Sequence, residues 1–164
     1  MRAIFLGSAL ALCATTGAQA QSFAADRTLE TFTPTALKAT LAKIGAITQD
    51  QPDRPNITVT FENGLKADAL LMACTDQETS TGCLGTSILV NYDTPTDVPM
   101  SQVLEGISEY NFRQNFGRAY IDPEGQISLR MYIIADGGIT MENYMQQLGL
   151  FAASAAKFPG YVYD

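Results

Sequence analysis

Tyr110, Asn111, Arg113, Phe116, Arg118 and Tyr120 crowd one short stretch, where a helical pattern gives way to an alternating one. Arginine and aromatic side chains can offer contact area to another molecule. Aromatics and arginine are also the residue types most enriched at the centres of protein contacts. Binding of another molecule is therefore the chemistry this cluster could perform. A simpler account ranks ahead of it: the arginines pair locally with Glu109 or Asp122, and Tyr110, Phe116 and Tyr120 are core. The junction is still the first place to look for a site.

Catalytic chemistry has little to work with. The chain contains no histidine and no tryptophan. Ser-His-Asp and Cys-His nucleophile systems are excluded, and so are most metal sites. Asp50, Asp53, Asp93 and Asp97 read as solvated loop charges, because their spacing matches no calcium-binding loop with alternating acidic ligands around a fixed glycine. Lys38, Lys43, Lys66 and Lys157 are scattered over exposed-looking positions. Gly137-Gly138 precedes a helix start, where an anion can be received. Neither a P-loop nor a G-x-G-x-x-G pattern accompanies it, and a turn needing positive φ explains the pair more simply. Asn56-Ile57-Thr58 matches a glycosylation sequon, a pattern too common to weigh. No catalytic residue, metal or cofactor is expected.

The N-terminus reads as a secretory signal peptide over residues 1–20. Arg2 is the positive start, Ala3 to Cys13 the apolar stretch, and Ala18-Gln19-Ala20 the small-residue cleavage site. The apolar stretch falls well short of the ~20 residues that span a bilayer. Leu12 before Cys13 does not suit lipidation. Cleavage after Ala20 is expected, releasing a periplasmic or secreted chain without stable membrane insertion. Cys74 and Cys83 then remain, in a compartment where disulfides persist. With a single pairing available, no C-x-x-C spacing and no histidine to complete a zinc site, a structural disulfide is the favoured reading.

The net charge is −7, and losing Arg2 makes it more negative. That sign argues against binding nucleic acid through its phosphates. The length fits one domain with its own core.

Around the cluster, periodicity assigns the elements. Residues 21–32 look like a flexible lead-in. Thr33 caps a helix with Pro34 at its first position, Phe32 and Leu37 stand at the staple positions, and Leu37, Leu41 and Ile44 form the stripe up to Gly45. A polar loop over 46–56 follows. Ile57, Val59 and Phe61 alternate into Asn63-Gly64, a two-residue hairpin signal in which both residues take positive φ. Strands over Leu65–Cys74 and Cys83–Tyr92 come next, the latter with Leu84, Thr86, Ile88, Val90 and Tyr92 on one face. Ser101 is read as the cap of a second helix reaching Gln114, with Val103, Leu104, Ile107 and Tyr110 apolar. Strands over Gly117–Asp122 and around Ile127–Ile133 follow. Thr140 caps a last helix with the stripe Met141, Met145, Leu148, Ala152, Ala155 and Phe158. The result is an α+β fold, a single antiparallel five-stranded sheet with three helices in the order α-β-β-β-α-β-β-α.

Several of these residues carry a family resemblance. The opening run Thr33-Pro34-Thr35-Ala36-Leu37 through Leu41 and Ile44-Gly45, then Tyr110-Asn111, Phe116 to Gly125 (FGRAYIDPEG), and Gly138-Ile139-Thr140 with Glu142-Asn143 are similar to the YbjN family of bacterial sensory transduction regulators. Tyr110 stands where that family commonly has tryptophan. The resemblance spans about residues 33 to 158 and makes 33–160 a YbjN-like domain. It implies a fold like type III secretion chaperones, which are small, acidic, usually dimeric, and bind a partner polypeptide without catalysis. The expectation is an exported, non-enzymatic binding or regulatory protein that recognises a protein partner in the periplasm; a homodimer is only what the resemblance implies. The alternative is a periplasmic binder of small molecules or cell-wall fragments, and an enzyme built on unpaired carboxylates ranks last.

Overall fold

The Thr33 side chain accepts the Ala36 N–H at 3.1 Å, and Pro34 opens the helix behind it. The computed structural model describes residues 22–163, so the expected signal peptide at residues 1–20, its cleavage site and Cys13 lie outside the described residues. In chain order the elements are β1 (Thr28–Leu29), α1 (Pro34–Lys43), β2 (Ile47–Asp50), β3 (Ile57–Thr60), β4 (Lys66–Met72) and β5 (Gly85–Tyr92). Then come α2 (Met100–Arg113), β6 (Arg118–Ile121), β7 (Ile127–Ile134), β8 (Ile139–Thr140), α3 (Met141–Ala155) and the short α4 (Pro159–Val162).

The main sheet is antiparallel in the order β2-β3-β4-β5-β7-β6, so it has six strands rather than the expected five. The additional strand, β2, comes from the stretch expected to be loop. It is an edge strand with Ile47 73% exposed, so no alternation of buried residues marks it in the sequence. Pairing with β3, as in Ile47↔Thr60 and Asp50↔Ile57, is what makes it a strand.

Residues 22–32 are not the loose lead-in expected from their composition. β1 pairs with β8, and Phe32 is fully buried with its N–H on the Cys83 carbonyl at 2.7 Å. The carbonyls of Ala25 and Arg27 accept the N–H groups of Glu142 and Met141, two donors that open α3. A helix start leaves such donors without partners inside the helix. The Thr140 hydroxyl takes the next one, from Asn143, as its role of cap requires.

Three local readings also change. The Asn63-Gly64 hairpin has a three-residue loop: Phe61 pairs with Leu65 through its N–H, Gly64 bonds back to Phe61, and Gly64 alone takes positive φ, at 82°. This is a type I turn followed by a left-handed residue. Ser101 is not the cap of α2, since the helix begins one residue earlier, behind Pro99. Leu104 is 51% exposed, and Gly106 takes its place beside Val103, Ile107 and Tyr110 on the buried side. On α3, Tyr144 and Phe151 complete the buried stripe, with Met145 only half-buried.

The disulfide forms, with the sulfurs of Cys74 and Cys83 bonded at 2.08 Å beyond the ends of β4 and β5. Ile57, Val59, Ala69, Leu71, Ile88, Val90, Leu129 and Ile133 are buried on one face of the sheet. α3 lies against that face: Tyr144 shares a 2.8 Å hydrogen bond with Thr86 on β5, and the Tyr92 hydroxyl donates to the Ala155 carbonyl at 2.8 Å. Among the described residues no helix covers the opposite face, where Tyr132 and Ile134 stay exposed. Among the described residues no helix is long and apolar enough to cross a membrane.

Candidate functional site

Strands β6 and β7 place four large side chains together on the open face. The register sets Arg118 opposite Arg130 and Tyr120 opposite Ser128. Successive residues of a strand point to opposite faces. Ala119, Leu129 and Met131 therefore go into the core, while Arg118, Tyr120, Arg130 and Tyr132 go outward. Gly117 lets the chain turn into β6: its φ is +105°, and a side chain there would meet Leu129 and Phe151 at 3.1 and 3.3 Å.

The two guanidiniums lean on the same ring, 5.9 Å from its centroid to Tyr120 for Arg118 and 5.7 Å for Arg130. Arg130 also lies 5.8 Å from the Tyr132 ring and donates from Nη1 to the Tyr132 hydroxyl at 2.9 Å. Its Nε is shielded from solvent and has no hydrogen-bond partner. The ion pairs among the described residues are Lys38–Asp50 and Arg113–Glu109, so neither Arg118 nor Arg130 is neutralised by a carboxylate. These four residues with Asn115, Gly117 and Met131 line an open cleft of about 570 Å³.

The six residues singled out from the sequence separate into three groups. Tyr110 is fully buried, its hydroxyl 2.6 Å from Ser154 on α3 and its ring edge-on to Phe158 and Tyr161. Burial holds its phenol above the usual tyrosine range, partly offset by the Ser154 hydrogen bond. Phe116 is half-buried against the same core. Asn111 and Arg113 project from α2: Asn111 bonds to the backbone of Ala119, and Arg113 forms a 2.7 Å ion pair with Glu109 one turn earlier. Arg118 and Tyr120 alone reach the open cleft. The simpler account thus holds for Tyr110, Phe116 and Arg113, but not for Arg118, which finds no carboxylate.

Arg130 and Tyr132 were not among the six. Their signal was present as an arginine and a tyrosine two apart on the polar phase of β7, repeating the Arg118-x-Tyr120 spacing of β6. Only the register reveals that the two pairs are neighbours.

The fold and its open cleft can be set beside known proteins. The YbjN family, described as "Putative bacterial sensory transduction regulator", matches residues 63–160. The crystal structure of YbjN from E. coli superposes with a TM-score of 0.50 at 11% identity, covering 74% of this chain and 90% of that one. A chain of the HopA1-SchA chaperone-effector complex superposes with a TM-score of 0.51, also at 11% identity, over 79% of this chain and 92% of its own length. At such identity the two structures speak for the fold alone. No curated protein matches the sequence.

Proposed function

We propose that this chain, which belongs to the YbjN family, is an exported regulatory protein that acts by holding a protein partner rather than by catalysis. The observation that carries the reading is the bare face of the sheet. Tyr132 and Ile134 are 52% and 62% exposed there, beside two arginines without carboxylate partners. Sheets with one solvated face normally alternate polar residues outward, and exposed apolar groups in a contiguous patch mark interaction sites. The family description points to regulation, and a similar fold occurs in a chaperone-effector complex. The leader-like N-terminus and the Cys74–Cys83 bond both suit an oxidising compartment. The lack of histidine leaves general acid–base catalysis near neutral pH without its usual agent.

A photocrosslinking amino acid placed at Tyr132 in cells, with Lys38 on α1 as control, tests this reading. Discrete protein adducts are expected from position 132 and not from position 38, on a chain recovered from the periplasm that begins at Gln21. Retention of the leader in the cytosol, or identical adducts from both positions, would refute it.

A further inference from the structure

Arg118 and Arg130 stand directly opposite each other on adjacent strands, an arrangement in which like charges destabilise the pairing. The sequence has 17 acidic residues against 10 basic ones, yet among the described residues none comes within ion-pair distance of either guanidinium. A buried nitrogen without a partner, as at Arg130 Nε, adds a further cost. The like-charge cost is offset if an oxyanion from outside sits between the two forks, since arginine pairs bidentately with carboxylate.

The surface next to the pair is elongated and mixes apolar side chains with Asn56 and Asp68 at its far end. Along β7, Arg130, Tyr132 and Ile134 share the open face at steps of about 6.8 Å, two residues of strand rise. Across β5, Tyr132 and Leu70 flank Ser87, and Ile134 and Met72 flank Gly85. The small residues make a trough floor, and the larger ones its walls. Arg130 lines both the cleft of β6 and β7 and a second hollow of about 130 Å³ that contains Leu70, Met72, Ser87 and Leu89.

We propose that the Arg118–Arg130 pair anchors a carboxylate side chain of the partner, on an extended segment whose next apolar side chains, two and four residues along, enter the trough beside Tyr132 and Ile134. This rests on the reading that the bound molecule is a protein, and it names the chemistry of the segment recognised. An extended chain repeats its side chains at the same step as β7, so one register serves the acidic anchor and both apolar contacts. Asp68 lies on the far side of Leu89 from Arg130 in the same row and disfavours a carboxylate there, which directs the acidic group to the arginine end.

The test uses fluorescence anisotropy on the exported chain with a labelled decapeptide bearing Glu, then Leu two and four residues later. Replacing the peptide Glu by Gln, or making Arg118→Gln in the protein, should each weaken binding by about tenfold or more, the effect of losing a charge-assisted pair. Arg118 is exposed and faces a like charge, so its variant should melt at or above the wild-type temperature. Ile134→Ser should weaken binding while the preference for Glu over Gln survives. Equal binding of the two peptides, no effect of Arg118→Gln, or no binding at millimolar peptide would overturn the proposal. So would inorganic phosphate or a carboxylate-bearing cell-wall fragment binding more tightly than the Glu peptide, an outcome that makes the cleft a small-anion site. Any of these together with adducts at position 132 would refute the acidic anchor alone and leave the protein-partner reading in place.

Discussion

The side-chain amide of Asn111 makes the two hydrogen bonds to Ala119 that a further strand would otherwise make. It accepts the Ala119 N–H at 2.9 Å and donates to the Ala119 carbonyl at 3.0 Å. Ala119 lies on β6, the edge of the sheet beside β7. An unpaired edge is a template for another chain, and covering it from a helix is one way of closing it. The same bonds hold α2 against the strand that carries Arg118 and Tyr120.

Asn111→Ala should therefore cost about 1–3 kcal/mol, the range for leaving polar groups without their partner. It should also increase self-association by freeing the edge. Asn111→Asp keeps the acceptor and loses the donor, so its loss should be smaller. Urea midpoints and sedimentation velocity on the three proteins check both effects.

Gly106→Ala sets helix propensity against packing. Alanine is better than glycine inside a helix by about 1 kcal/mol. At Gly106, however, a methyl group would collide with the backbone of Tyr161, whose carbonyl carbon would lie only 2.9 Å away. Backbone cannot swing aside as a side-chain tip can, and overpacking typically costs 1–3 kcal/mol. Net destabilisation is expected, seen as a lower thermal midpoint and earlier proteolysis at α4. A midpoint at or above wild type would show that α4 yields freely.

Removing the disulfide by Cys74→Ser with Cys83→Ser should lower stability by roughly 2–3 kcal/mol, the loop-closure entropy for a short ring. The β4–β5 pairing spans five residue pairs and should persist without the bond. Denaturation with and without reductant should show the shift for the wild type and none for the double variant.

Tyr92, Tyr110 and Tyr144 predict alkaline unfolding. Burial pushes all three phenols above their usual value of 10.0, with Tyr110 adding to the effect on Tyr92 and the Thr86 hydrogen bond opposing it at Tyr144. The folded pKa is raised, so this contribution to stability is fully present below about pH 10, the unfolded value. Above that the unfolded chain releases protons that the folded one retains, and stability falls as pH rises. Absorbance at 295 nm should show these phenolates appearing together with the loss of far-UV circular dichroism. Their smooth titration in a chain that stays folded would contradict their burial.

Local sequence rules were enough wherever the deciding contacts lie within one turn or one hairpin. The caps at Thr33 and Thr140 were legible because each bonds three residues ahead. The strands around Val59, Ile88 and Leu129 were legible because one buried face imposes alternation. The register of β6 on β7 was not legible, since it depends on backbones that meet only after the chain folds. It is that register which joins Arg118 to Arg130 and separates them from Tyr110.

The sequence by itself determined the α+β class, the three main helices, five of the six main-sheet strands and the cysteine pair, because periodicity, capping and a single available pairing are properties of neighbouring residues. Tertiary structure alone decided that β2 and β1 are strands, that β7 lies between β5 and β6, and that Tyr132 and Ile134 stay exposed on one face of the sheet. Those outcomes depend on which backbone donors and acceptors find each other across long stretches of chain, and short edge strands such as β2 bury too little to announce themselves in advance.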